Sequence, residues 1–361
     1  MVRVRRLEFP AEPRGAPLTA SLGAVDASPS HARVAEPQRG RLVAWGAILS
    51  AVGLVVGVSL LLGPAGVGWP SGEVLGLRGF RVLAAAAVGG GLGLSGVLLQ
   101  ALLRNPLASP DLLGLASGGG LGIAVTVYLA HLAGFGIANA GSATIGATAG
   151  CFTALGMVVL WGRRRGVLDP FTLLLVGVII GIVCSAGSQF ITHLLPDQGV
   201  AAQRMLLGAI RETDLSWAEV IGVGGCVAVG GLYAWCRAFA LDCLALGDDE
   251  AASVGVDVGR LRVALVVLSG IVTAGTVVLA GPIGFVGIVA PHAVRMSLGS
   301  THRLLIPAAA VVGAGLVVGA DALVRVIDLG SGRMPISVIT ALVGGPTLVY
   351  LIRKSRRDSL G

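Results

Sequence analysis

Apolar residues in this chain neither alternate nor mark one helical face. They run unbroken for about twenty positions at a time, separated by short turns rich in Gly, Pro and charge. A run of that length crosses the roughly 30 Å hydrocarbon core of a bilayer as an α-helix. Barrel strands would instead alternate apolar and polar residues over about ten positions. Ten runs are legible, near 43–63, 81–103, 115–133, 142–161, 171–194, 217–236, 263–281, 283–298, 304–326 and 335–352. The pattern predicts an all-α polytopic membrane protein with about ten transmembrane helices, because a spanning segment must satisfy its own backbone groups. The eighth run is short, with Pro282 before it and Pro291 inside it, which predicts a broken or re-entrant element shielded by protein or water.

Composition agrees with the pattern. Of 361 residues, 55% are hydrophobic and 12% are charged; ordinary soluble domains carry about 25% charge, so this chain cannot cover a water-facing surface. The 57 glycines suit close helix contact in lipid, as in Gly89-Gly90-Gly91-Leu92-Gly93. Cys151, Cys184, Cys226, Cys236 and Cys243 form no CxxC pair and lie in or beside apolar runs. They read as small buried residues, with no metal or disulfide role.

The net charge of +7 resides in arginines placed between the runs, with no single stripe for nucleic acid. Orientation in lipid explains them. With an even number of spans both termini share a side, and that side collects Arg41, Arg104, Arg163-Arg164-Arg165, Arg237, Arg260, Arg262, Arg295, Arg303 and the tail Arg353-Lys354-Ser355-Arg356-Arg357. It is the cytoplasmic side. Arg78, Arg81, Arg204, Arg211, Arg325 and Arg333 fall outside and need another explanation. Residues 1–41, rich in Pro, Arg, Ala and Ser, read as a disordered cytoplasmic tail, and they lack the early apolar core of a signal peptide. Residues 42–353 form the transmembrane domain and 354–361 a basic cytoplasmic tail.

Four stretches interrupt the apolar text. In RNPLASPDLLGLASGGG, 104–120, the residues Arg104, Asn105, Pro106, Leu107, Ser109 and Pro110 end the second span, since proline removes a donor and restricts its predecessor. Asp111 suits the exposed amides that open the next helix. These residues serve equally as a well-capped turn. In ALGDDEAASVGVDVGRLR, 245–262, Asp248, Asp249 and Glu250 favour a helix start, while Ala251, Ala252 and Ser253 give it a narrow face. Such a helix can enter a groove on a partner or be a solvated loop helix. AGPIGFVGIVAPHAVR, 280–295, and RMPISVITALVGGP, 333–346, put Gly and Pro at membrane depth, where helices break around a pathway. Kinked packing helices would carry the same residues.

Taken in order, the four stretches resemble the FecCD-type (BtuC-like) permeases, the membrane subunits of type II ABC importers for iron chelates, haem and vitamin B12. The resemblance runs from the first span to the end of the chain. It implies a homodimer or a pair of related permeases, two cytoplasmic ATPases and an extracytoplasmic binding protein, in a bacterial cytoplasmic membrane. Gly247, Asp248, Asp249, Glu250, Ala251, Ala252, Val254 and Gly255 match the family's coupling segment to the ATPase. Arg78, Arg81 and Arg325 match outer arginines that meet acidic residues of the binding protein; snorkelling anchors at the membrane edge are the alternative. Phe80 stands where many relatives have proline, and Arg333 where an acidic residue is usual.

Uphill transport needs fuel. The chain's single lysine, Lys354, follows Arg353, so no G-x-x-x-x-G-K-[ST] loop exists. No cofactor belongs to this chain; ATP and Mg are expected on the partner ATPase. An ion-coupled transporter would use acidic or histidine residues at membrane depth, and here only Asp321, His131, His193 and His292 come near, each more suited to packing. No span shows a channel's charge rings. An enzyme built on His292, His302 and Asp321 lacks H-E-x-x-H and GxSxG, and the chain is expected to be no enzyme.

The resemblance implies an alternating-access permease importing a ferric siderophore-type chelate, with haem or cobalamin as the alternative cargo. The fifth, eighth and tenth spans would line the passage along 171–190, 283–294 and 336–348. Asp169-Pro170, at the cytoplasmic start of the fifth span, is a candidate gate.

Overall fold

Gly89 and Gly93 set how closely the central helices approach. A Cβ on Gly93 would stand 2.3 Å from the Ala309 carbonyl oxygen, and one on Gly89 2.1 Å from that of Gly313. Backbones therefore touch along this seam, as small residues permit in lipid. The computed structural model describes residues 38–63, 66–134, 140–164, 166–195, 208–210, 216–327 and 334–358. Among them ten apolar helices follow in order: α1 Gln38–Leu61, α2 Gly72–Leu103, α3 Leu115–Leu132, α4 Ala140–Trp161, α5 Pro170–His193, α6 Trp217–Cys236, α9 Val258–Ala280, α10 Val286–Leu298, α11 His302–Val326 and α12 Ile336–Asp358. Two short helices, α7 Ala238–Leu246 and α8 Asp248–Ser253, lie between α6 and α9. The hairpins β1 Leu62–Gly63 with β2 Gly66–Val67, and β3 Arg163–Arg164 with β4 Val167–Leu168, pair antiparallel.

Eight of these helices are long and apolar enough to cross a membrane, and α10 and the Ile336–Tyr350 part of α12 are shorter apolar helices. All ten expected spans are helical. The long α2 is buried for most of its length against α9, α10 and α11, while α3, α4 and α5 pack together beside it. Leu54, Ile145, Ile182 and Val229 are each more than 60% exposed, as side chains facing lipid must be.

Some boundaries move. Helix α2 starts at Gly72, nine positions before the apolar run, because Glu73 and Arg78 continue the helix beyond the hydrocarbon. At roughly 48 Å it overruns the bilayer core. Helix α9 starts at Val258, where the Asp257 carboxylate accepts from Arg260 N at 3.0 Å. Residues 38–41, expected in the N-terminal tail, already belong to α1, and 354–358 continue α12. The rest of the N-terminal tail, together with Arg165, Arg204, Arg211 and Arg333, lies outside the described residues.

The eighth span is broken as expected. Helix α10 has 13 residues, roughly 20 Å, too short for the hydrocarbon core. Gly281 and Phe285 open it with φ of 67° and 69°. Gly344 of α12 leaves room for Phe285: a Cβ there would lie 2.7 Å from the Phe285 Cβ.

Candidate functional site

The basic end of the bundle is built around one carboxylate. Helix α2 stops at Leu103, and Arg104 takes the left-handed conformation, φ 48°, as Asn105-Pro106 forces the chain to turn. From that position Arg104 Nε donates to the Leu244 carbonyl at 2.8 Å, and its Nη2 binds Asp248. Arg262 of α9 reaches the same carboxylate from the other side, its Nη2 lying 2.9 and 2.8 Å from the two oxygens. Arg262 Nη1 also donates to the Leu168 carbonyl at 3.2 Å. Asp248, the first residue of α8, is thus gripped by two guanidiniums, a placement that also suits the helix dipole.

The expected coupling residues divide into two faces. Gly247 and Ala251 are buried, whereas Asp249, Glu250, Ala252, Ser253, Val254 and Gly255 are exposed, with Leu246 beside them. This corrects the choice of Ala251 as a contact with a partner: its methyl packs inward. Helix α7 was not anticipated. Its residues Ala238, Leu241 and Leu244 are buried, and Asp242 ties it to α11 through His302 Nδ1 at 2.6 Å and the His302 backbone N–H at 3.0 Å. Burial alone would raise the Asp242 carboxyl; the hydrogen bonds and charge of His302 reverse that and hold it below the usual range. Arg303 lies over Trp235, whose Nε1 donates to the Arg303 carbonyl. Arg104, Arg262 and Arg303 therefore gather at one end, as their position between runs requires.

The interrupting turn continues from Arg104. Asn105 Oδ1 accepts from Leu107 N at 2.9 Å, and Pro110 opens a 3-10 turn, Pro110–Leu113. Gly114 then takes φ 68° against α5, where a Cβ would lie 2.6 Å from the Gly177 carbonyl oxygen. Asp111 does not cap α3, which starts at Leu115; it lines a cavity of about 510 Å³ with Ser117, Ser185 and Gln189. The expected gate residues form a helix cap. Asp169 Oδ2 accepts from Thr172 N at 2.8 Å and Thr172 Oγ1 at 2.7 Å, and Pro170 occupies the first helical position.

The opposite end holds Arg78, Arg81 and Arg325, with roughly 35 Å of helix between Arg81 and Arg104. Arg81 and Arg325 are only 3% and 7% exposed. Arg81 donates from Nε and Nη2 to both oxygens of Asp321 at 2.8 to 3.0 Å, and Arg325 Nε lies 3.4 Å from the same carboxylate. Arg325 also binds Ser59 Oγ. These two arginines tie α1, α2 and α11 together and do not stand on a surface. Arg78 is half-buried, donates to the Leu60 carbonyl at 2.8 Å and lies over Gly63 of the β1–β2 hairpin.

Residues of the rival readings go elsewhere. Asp321 serves Arg81, and His302 serves Asp242. Among the described residues no group of three His, Cys, Asp or Glu side chains is placed to hold a metal. A cavity of about 280 Å³ lies between α10, α11 and α12, lined by Phe285, Val289, Leu323, Ile339, Thr340 and Thr347.

Comparison with known proteins agrees with this geometry. The family model described as the FecCD transport family matches residues 42–354. The chain is 33% identical over 288 residues to the hemin transport system permease protein HmuU of Yersinia pestis, covering 80% of this chain and 85% of that one. It is 34% identical over 334 residues to the vitamin B12 import system permease protein BtuC of Salmonella arizonae, covering 90% and 98%. A solved inward-facing ABC transporter assigned to the metal-chelate type superposes with a TM-score of 0.74 at 27% identity, covering 87% of this chain and 99% of that one. A bundle of ten apolar helices, broken before α10 and carrying a small exposed helix at its basic end, thus belongs to the FecCD transport family, as a multi-pass permease of an ABC importer that works with ATPase and substrate-binding partners.

Proposed function

We propose that this chain carries a ferric siderophore-type iron chelate across the cytoplasmic membrane by alternating access, with its α8 end and both termini in the cytoplasm. The observation that supports this best is the exposed face of α8 and its C-cap, Asp249, Glu250, Ala252, Ser253 and Val254, beside the two arginines that hold Asp248. Small residues there suit a groove on an ATPase that binds ATP and Mg, and the arginines suit the cytoplasmic surface. A second copy of the chain, or a paralogue, completes the passage, lined by α5, α10 and α12.

The binding protein docks on the opposite end. The Arg81–Asp321–Arg325 cluster carries one positive charge in excess, and Arg78 adds another nearer the surface. Arg78, unlike the enclosed Arg81 and Arg325, is open enough to act as a rim charge, and such charges set encounter rate and orientation. Arg78→Glu should therefore weaken docking more at low salt than at high salt, measured by surface-immobilised binding protein; equal docking at both would remove this role.

Haem or cobalamin is the second cargo reading, favoured by relatives named for hemin and vitamin B12. Both readings share one test. Proteoliposomes holding the permease, its ATPase and its binding protein are given a ferric siderophore, haem or cobalamin. ATP-dependent uptake of the siderophore alone supports the first reading, and uptake of a macrocycle alone replaces it with the second.

A further inference from the structure

The two arginines on Asp248 lead to the same helix by separate routes. The first route runs from Asp248 to Arg104, which sits at the left-handed end of α2, and on through the Asn105–Leu113 turn. That turn presses on α5: a Cβ on Gly177 would stand 2.4 Å from the Leu112 carbonyl oxygen. The second route runs from Asp248 to Arg262, which holds the Leu168 carbonyl. Leu168 directly precedes Asp169-Pro170, the cap of α5. One route meets α5 at its first turn and the other about seven residues further along.

The materials of both routes are stiff. Arg262 is buried along its length, at 9% side-chain exposure, and its planar fork fixes the direction of its bonds. Arg104 is one of two non-glycine residues at positive φ among the described residues, so its backbone is held where few residues go. Helix α8 has six residues and little packing of its own beyond Ala251. A displacement of α8 therefore reaches the bundle through its charged first residue.

We propose that Asp248 is the positioning residue that transmits movement of α8 to α5, through Arg104 on one side and Arg262 on the other. This rests on the reading of α8 as the contact with the ATPase. It assigns the transmitting function to a carboxylate that faces the permease, separate from the exposed face that meets the partner. Binding of the ATPase and delivery of its motion then become separable properties of one short helix.

The experiment compares Asp248→Asn with the unaltered permease, each assembled with its ATPase and binding protein in proteoliposomes. Three quantities are read: ATPase retained on purification, ATP hydrolysis stimulated by loaded binding protein, and cargo imported per ATP. The expected result is retained ATPase and stimulated hydrolysis within about twofold, with cargo per ATP reduced about tenfold, a scale typical of coupling between sites. Arg262→Lys, which keeps the charge but not the fork, should recover part of the loss relative to Arg262→Gln. Arg104→Gly keeps the left-handed backbone without strain, so a fall in cargo per ATP there cannot come from misfolding of the turn. Because both routes share one carboxylate, adding Arg262→Gln to Asp248→Asn should lower cargo per ATP no further.

Unchanged cargo per ATP in Asp248→Asn would overturn the proposal. Loss of ATPase from the assembly in all these variants would also overturn it, by making the cluster part of the docking surface. The parent reading fails differently: Ala252→Trp on the exposed face would leave ATPase retention and stimulation intact.

Discussion

Asp321 shows why a residue's neighbours matter more than its type. At 1% exposure it sits between the guanidiniums of Arg81 and Arg325, so removing it leaves two buried cations without their carboxylate. Asp321→Ala should cost about 3–5 kcal/mol, read as a lowered unfolding midpoint in detergent, whereas Arg78→Glu, which removes one half-buried donor from the Leu60 carbonyl, should cost about 1–2 kcal/mol. Asp242 gives a pH-dependent counterpart. Its folded pKa is lowered, so its contribution is present above the unfolded value of about 3.9 and is lost as the pH falls through the folded value. Asp242→Asn should then destabilise the protein at pH 6 to 8, and the difference from the parent should vanish in acid. Stability curves of the two forms across pH test this. None of these pairings was legible along the chain: Arg81 and Asp321 are 240 positions apart, and Arg104 and Asp248 are 144. The prolines and Asn105 were legible, because a helix stop is a local steric fact.

Helices were read correctly wherever length and apolarity decide. Their ends followed polar chemistry instead, as at Glu73 in α2 and Asp257 in α9. Helix α7 escaped notice because AFALDCLAL is too short to span and its apolar residues continue the preceding run. The phase of α8 escaped for a related reason: six residues cannot show a 3.6 period, so Ala251 inward and Ala252 outward needed the structure. Glycine spacing was more informative. Gly118 and Gly122 of α3 meet Gly150 and Gly146 of α4 as closely as α2 meets α11. Gly93→Val should push the α2–α11 seam apart at a cost of about 1–3 kcal/mol, while Gly156→Val, with open space around its Cβ position, should cost less than about 0.5 kcal/mol. Yield of monodisperse permease in mild detergent separates the two.

At the scale of the whole molecule, two charged ends face each other across an apolar bundle, and each end has its own task. The charges around Asp321 are largely enclosed, so they fix the geometry of α1, α2 and α11. The charges around Asp248 are half-open and hold α8. Solvent medium, helical class and the break before α10 were all determined by the sequence, since each depends on local hydropathy or proline chemistry. Which arginines are buried, which alanine faces outward and how Asp248 reaches α5 were decided by tertiary structure alone. The physical reason is that burial and ion pairing depend on distances between segments far apart in the chain, and only packing creates those distances.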